Sequence, residues 1–155
     1  MLNAVPRSVF SWDFEVFDDT GMLAVMDVAW LKECGSFDYC GKTYKLRKAG
    51  VFSTNFSMTE DGHPVAGAEK TPLRRFFEVE SHEKTYALSA LHPFTRKFKV
   101  VCDGVIVGEI FPYSIFARSC KVDTSEDIPV PLQIFMLWLV ILMWRRTRKS
   151  NAAAS

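Results

Sequence analysis

One apolar segment near the end of the chain limits what this sequence can fold into. Residues 128–144 are apolar apart from Gln133, and a run rich in Arg and Lys, residues 145–149, follows at once. A helix that is apolar on every side has no face for water, so it must be buried in protein or in lipid. The sequence leaves two alternatives, a core helix or a membrane span.

The length of the segment favours a core helix. Pro131 is tolerated at the first helical position, because its missing N–H would be unpaired there anyway. A helix over 131–144 is roughly 21 Å long, which is short of the roughly 30 Å of bilayer hydrocarbon. A span followed by basic residues would also place the preceding domain outside the cell, yet residues 1–7 show no signal-peptide pattern. We predict a central helix over about 131–147.

Length and composition predict one domain. The 155 residues suffice for a single core, and we expect a domain over 1–149 with a disordered tail at 150–155. The net charge of +1 gives no overall attraction to nucleic acid. Four cysteines without a signal sequence are typical of reduced thiols in a cytoplasmic protein.

The chain repeats itself at a fixed offset. Lys-Thr-Tyr-x-Leu occurs at Lys42 and again at Lys84, an offset of 42 residues. The same offset, without gaps, aligns three sets of residues: Phe10, Phe52 and Phe94; Phe14, Phe56 and Phe98; Asp19, Asp61 and Asp103. We predict that the repeat unit is a strand containing Phe-x-x-x-Phe, a tight turn and a return strand.

Alternation of apolar and polar residues predicts strands over nearly all of the chain before residue 123. In 42–48, for example, Tyr44 and Leu46 face one way while Lys45 and Arg47 face the other. The predicted strands are 9–17, 22–31, 42–48, 51–59, 63–70, 74–80, 84–91, 96–102, 105–111 and 113–122.

Two architectures fit repeated hairpins of this length. A propeller needs at least about four blades, and three copies with a terminal helix do not close one. A closed antiparallel β-barrel around the helix buries the apolar face of the sheet and removes its edge strands. We therefore predict a mainly β fold, a closed barrel built from repeated hairpins around a buried hydrophobic C-terminal helix.

Hairpins with Asp-Gly turns that end in an apolar helix and a basic tail resemble the tubby-like superfamily, in particular its phospholipid-scramblase and LURP-one-related branch. The matching stretches are 44–65, 86–110 and 128–146, and the resemblance covers most of the chain from Phe10. It implies a barrel of about a dozen strands around a central helix. Members of the superfamily bind phosphoinositides or are linked to lipid movement and calcium, and many LURP-one-like members have no assigned activity.

The chain departs from that group in features that carry its functions. It has no proline-rich N-terminal region and no cysteine cluster suited to palmitoylation. The acidic stretch 123–127 is too short and irregular for a calcium loop. We therefore carry over neither calcium binding nor lipid scrambling.

No motif predicts catalysis, a metal site or a cofactor. His63, His82 and His92 are scattered, and the cysteine spacings are unlike those of structural zinc sites. Asp61 and Asp103 are explained by their turns. We predict a protein that is not an enzyme; an enzyme that uses dispersed His and Cys residues has no specific support.

Basic residues give the one functional hint. Lys45 and Arg47 share an outward strand face, whereas Ala87 and Ser89 occupy the same repeat positions, so the fold does not require the charge. The candidate ligands for an anionic lipid headgroup are Lys45, Arg47, Lys48, Arg74, Arg75, Lys97 and Lys99, with Arg96 adding charge nearby. An ordinary solvated surface explains the same residues, and the helix dipole explains 145–149.

Three functions stay open from the sequence. The first is a non-enzymatic module that binds anionic lipid as a peripheral protein at the cytoplasmic membrane face. The second is a single-pass membrane protein anchored by residues 128–144, with a soluble β domain. The third, an enzyme, rests on no motif.

Overall fold

The structure is a computed structural model that describes residues 1–29, 32–114 and 117–154. Within them, twelve strands precede one helix. The elements are β1 (Leu2–Pro6), β2 (Phe14–Asp18), β3 (Gly21–Ala29), β4 (Cys34–Tyr39), β5 (Lys42–Lys48), β6 (Asn55–Glu60), β7 (His63–Lys70), β8 (Phe76–Ser81), β9 (Lys84–Ala90), β10 (Phe98–Cys102), β11 (Val105–Pro112), β12 (Cys120–Thr124) and α1 (Val130–Ala153).

The twelve strands form one closed antiparallel barrel in which strands adjacent in sequence are paired. The first strand, β1, also pairs with the last, β12, where Leu2 lies opposite Val122. This contact leaves the sheet without a free edge. The predicted fold class is confirmed.

Side chains alternate between the inside and the outside of the barrel. On β5, Tyr44 and Leu46 are buried, whereas Thr43, Lys45 and Arg47 are exposed. A similar alternation along most of the other strands turns one face of the sheet into an apolar lining. This lining needs a filling because protein interiors are close-packed.

The helix α1 is that filling. All of residues 132–145 are buried, although successive residues of a helix point in different directions around its axis. Protein therefore surrounds α1 on every side, as the interior of a closed sheet provides. The Trp138 ring packs edge-on against Phe56 of β6, with 5.8 Å between ring centroids. A Cβ at Gly35 of β4 would lie 3.4 Å from Trp138 Nε1.

The helix is longer than predicted at both ends. It begins at Val130 and ends at Ala153, so the predicted end at residue 147 is wrong, and residues 150–153 of the predicted tail are helical. Near its start, Gln133 Nε2 donates a 2.7 Å hydrogen bond to the Ile128 carbonyl oxygen. By length and composition alone α1 could cross a membrane, but 78% of its most apolar 18-residue stretch is buried inside the protein.

The sequence repeat appears as a threefold pattern in the barrel. Two-residue turns join β2 to β3, β6 to β7 and β10 to β11 at equivalent positions. Each of these three hairpins shifts its register at the same place, directly after Val16, Met58 and Val100. Because a β-bulge is a specific local feature, its recurrence at the 42-residue spacing confirms the repeat.

The predicted strands differ from the structure mainly at one end of the barrel. Strands β1 and β4 were not predicted. Three predicted strands begin too early, because β2 begins at Phe14, β6 at Asn55 and β12 at Cys120. The predicted strands 22–31 and 113–122 include residues 30, 31, 115 and 116, which lie outside the described residues. Phe10 and Phe52, predicted to lie in strands, instead lie in connections between strands.

The two ends of the barrel are built differently. At the turn end, two-residue turns occupy 19–20, 40–41, 61–62, 82–83 and 103–104, and the segment 125–129 leads into α1. At the loop end, longer connections span 7–13, 49–54, 71–75 and 91–97, and the described residues 32–33, 113–114 and 117–119 belong to two further connections. Because the helix enters from the turn end, its last residues, from Arg145 onward, emerge at the loop end.

Replacing Trp138 by alanine is expected to lower the free energy of unfolding by about 3–5 kcal/mol, because it leaves a cavity among fully buried rings. Urea unfolding followed by circular dichroism measures the loss. The matched variant Trp138→Phe keeps most of the ring and removes a buried indole N–H that has no acceptor among the described residues. It should cost much less. Equal losses for the two variants would contradict tight packing of α1 inside the barrel.

Candidate functional site

Three phenylalanines at the loop end are exposed to solvent. Phe10, Phe52 and Phe94 lie in the connections β1–β2, β5–β6 and β9–β10, and are 91%, 99% and 100% exposed. The repeat makes their positions equivalent. The neighbouring loop residues Val9, Val51 and Leu73 are also exposed, at 79%, 82% and 104%. The three phenylalanines are spaced four strands apart around the barrel, so the exposed apolar residues are distributed around one end of it, which makes that end a candidate interaction surface.

The charges of the barrel are separated along its axis. The loop-end connections and the end of α1 contain two acidic residues, Asp13 and Glu33, and eleven basic ones: Arg7, Lys32, Arg74, Arg75, Arg96, Lys97, Arg118, Arg145, Arg146, Arg148 and Lys149. The turn-end connections contain no Lys or Arg and six acidic residues: Asp19, Asp61, Glu83, Asp103, Glu126 and Asp127. A net charge near zero thus conceals a strongly basic end and an acidic one.

Arginine side chains tie the loop-end connections together. Arg118 donates hydrogen bonds to the carbonyl oxygens of Ser8, Val9 and Ser11, at 2.7 Å for Ser8 and 2.8 Å for Ser11. Arg96 Nη1 donates to the Ala117 carbonyl oxygen at 2.7 Å. Because carbonyl oxygens carry no net charge, these bonds fix the loops without neutralising the guanidinium groups.

Tryptophan rings support the same arginines. Arg118 and Arg145 lie 5.6 and 5.3 Å from the centroid of the Trp12 ring. Arg96 lies 4.4 Å from the Trp144 ring, and Trp144 Nε1 donates a 3.0 Å hydrogen bond to the Arg96 carbonyl oxygen. Cation–π contacts of this length stabilise partly buried cations. These contacts hold the three arginines against Trp12 and against Trp144 of α1.

One carboxylate at the loop end is held by two cations. Glu33 accepts hydrogen bonds from Arg146 Nε and Nη2 at 2.9 and 2.8 Å, and Lys48 Nζ lies 3.0 Å away. Burial by itself raises the pKa of Glu33, but the hydrogen bonds and charges of Arg146 and Lys48 outweigh it and lower the pKa to about 2. Glu33 thus neutralises part of the positive charge at the loop end and links α1, through Arg146, to β5 of the barrel, through Lys48.

The seven predicted headgroup ligands do not share one face. Lys48, Arg74 and Arg75 lie at the loop end, whereas Lys45 and Arg47 lie on the outer wall at β5. Lys97 also lies at the loop end, directly before β10, but it is five strands away from β5 around the barrel, and its Nζ is 2.6 Å from Glu109. Lys99 lies on β10 itself. The structure instead brings together Arg75, Arg96 and Arg118, each from a different connection, at the end of α1.

The sequence contained a signal for the exposed phenylalanines. They form one column of the repeat, but alternation alone assigned two of them to strands. For the arginines no local signal exists, because Arg75, Arg96, Arg118 and Arg148 are far apart in sequence and meet only when the barrel closes.

The described residues show where the metal-binding and thiol side chains lie. Among them, no three His, Cys, Asp or Glu side chains are grouped to hold a metal ion. All four cysteines are free thiols. Burial raises the pKa of Cys120 to about 12, which keeps it protonated and unreactive.

Comparisons with protein-family models, with curated proteins and with solved structures found no match.

Replacing Glu33 by glutamine is expected to lower the free energy of unfolding at pH 7 by about 1–3 kcal/mol, because Arg146 and Lys48 lose their partner. The pKa of Glu33 is lower in the folded protein, so its contribution is present above pH 4.5 and is lost as the pH falls from 4.5 towards 2.

Urea unfolding at pH 7, 4.5 and 3 measures both effects. The wild type should lose more stability than Glu33→Gln as the pH falls. The control is Glu109→Gln, which removes a more exposed ion pair with Lys97 and should change stability by less than about 0.5 kcal/mol. Parallel pH profiles for wild type and Glu33→Gln would contradict the assigned role of Glu33.

Proposed function

We propose that this protein is a non-enzymatic, peripheral membrane protein whose loop end binds anionic phospholipid bilayers. The observation that carries the proposal is the combination of three exposed phenylalanines on equivalent loops with a basic surface around them. A bilayer surface offers both matching partners, because acyl chains accept the rings and anionic headgroups accept the cations.

The energetics favour a bilayer over water for this end. A phenylalanine ring that leaves water gains about 1.5–3 kcal/mol. Each Lys or Arg held near anionic lipid adds about 1 kcal/mol. In water the same rings gain nothing from their exposure, so the fold alone does not explain why the three equivalent loops carry them.

The charge separation supports one orientation. With the basic loop end on an anionic surface, the acidic turn end points away from it, and the barrel axis stands steeply on the membrane. The cytoplasmic leaflet supplies the negative surface potential that this arrangement needs. A cytoplasmic location and membership of the tubby-like superfamily stay predictions; calcium binding and lipid scrambling are not proposed.

Replacing Phe10, Phe52 and Phe94 by serine is expected to weaken binding to anionic vesicles by about tenfold for each ring, because about 1.4 kcal/mol corresponds to tenfold in affinity. The rings are almost fully exposed, so the variants should fold normally. Co-sedimentation with vesicles of phosphatidylcholine and phosphatidylserine measures the binding.

The matched control replaces three exposed apolar residues of the turn end, Met22, Val105 and Ile106, which are 60%, 63% and 60% exposed. Their serine variants should bind like the wild type. The proposal fails if both triple variants lose binding equally, or if pure phosphatidylcholine vesicles bind as well as anionic ones.

High salt separates peripheral binding from an anchor at 128–144. Screening should release a peripheral protein from anionic vesicles, because its charge contacts weaken, and the released protein should be monodisperse without detergent. A protein that stays in the membrane fraction and needs detergent would support the anchored alternative instead.

A further inference from the structure

A cleft beside the end of α1 gathers arginines without an acidic side chain. Its volume is about 520 Å³, and it opens between the connections 71–75 and 91–97 and the last turns of the helix. The cationic and aromatic residues that matter for its chemistry are Arg75, Arg96, Arg118, Arg148, Trp12 and Trp144. None of its lining residues is Asp or Glu.

The positive charges in this arginine cleft are crowded and partly removed from water. Burial lowers the pKa of Arg75. Burial also lowers the pKa of Arg96, and the nearby charges of Arg148 and Arg75 act in the same direction. Like charges held together in a desolvated place destabilise the protein. An anion bound among them would remove that cost.

The arginines keep hydrogen-bonding capacity for such an anion. Arg75 Nη1 donates to the carbonyl oxygens of Pro93 and Thr95, while its buried Nε has no acceptor among the described residues. In the described part of the chain no carboxylate oxygen lies within 4.0 Å of the side-chain nitrogens of Arg75, Arg118 or Arg148.

We propose that the arginine cleft binds the phosphate group of a phosphate monoester, on a lipid headgroup or on a soluble molecule. A phosphate monoester carries a charge of about −1.5 to −2 at pH 7 and three acceptor oxygens, which suits several converging guanidinium groups. A diester has less charge and fewer free oxygens. The case of a lipid ligand rests on the proposed membrane function. Phe94 lines the cleft, so insertion of its ring into the bilayer would place the cleft at the level of the lipid headgroups.

Tryptophan fluorescence of the full chain tests the cleft in solution, because Trp12 and Trp144 line it. Glycerol 3-phosphate is the probe, and a saturable change is expected. Arg148→Gln should weaken this binding by about tenfold or more. Arg148 is exposed, so its loss should leave the fold intact. Lys149→Gln is the control, because it removes one charge from the next residue, which does not line the cleft.

Two kinds of phosphatidylcholine vesicle, matched in surface charge, show whether the ligand is a lipid or a soluble molecule. One kind contains phosphatidic acid, a phosphate monoester, and the other contains phosphatidylserine, a diester. Preference for phosphatidic acid that Arg148→Gln removes supports a lipid ligand. Saturable binding of glycerol 3-phosphate without such a preference supports a soluble one. If phosphatidylserine vesicles also fail to bind, the proposed membrane function is wrong, whereas the proposed phosphate site in the cleft is still supported.

The proposed phosphate site is wrong if glycerol 3-phosphate shows no saturable binding, or if Arg148→Gln and Lys149→Gln weaken its binding equally. Binding to both kinds of anionic vesicle would then still leave the membrane function in place, so the two proposals fail separately.

Discussion

The apolar contact between α1 and the inner face of the sheet is the interaction on which this structure depends. A barrel of twelve strands whose inward side chains are apolar cannot stay empty, and a helix that is apolar around its whole circumference cannot stay in water. Each element is unstable without the other. The closing pair β1–β12 belongs to the same dependence, because it completes the wall around the helix.

The threefold repeat explains the wall but not the loops. Turns, bulges and inward residues recur at equivalent positions, as the wall requires. The loop-end charges break the pattern: Glu33 stands at the repeat position of Arg75, so one unit carries an acid where the next carries a base. A repeated scaffold with a non-repeated surface separates the residues that fold the chain from those available for binding.

Much of the fold could be predicted from the sequence because its signals are local or periodic. Alternation, the 42-residue offset and the apolar segment together indicated a barrel around a helix. Alternation also extended strands through Phe10 and Phe52, since it cannot separate an inward phenylalanine from one at a loop tip. The site was harder to predict. Net charge sums over the chain and hides a polarity along the axis, and the arginine cleft combines residues from Arg75 to Arg148 that only the closed barrel brings together.

The order of elements along the chain has a consequence for synthesis. The helix follows all twelve strands, so a growing chain presents the whole apolar lining of the wall before its filling exists. Pairing of β1 with β12 must wait equally long. Contacts this distant in sequence slow folding, and the exposed hairpins are prone to aggregate in the interval. The nascent chain therefore keeps the apolar lining of the barrel exposed until the helix has been synthesised.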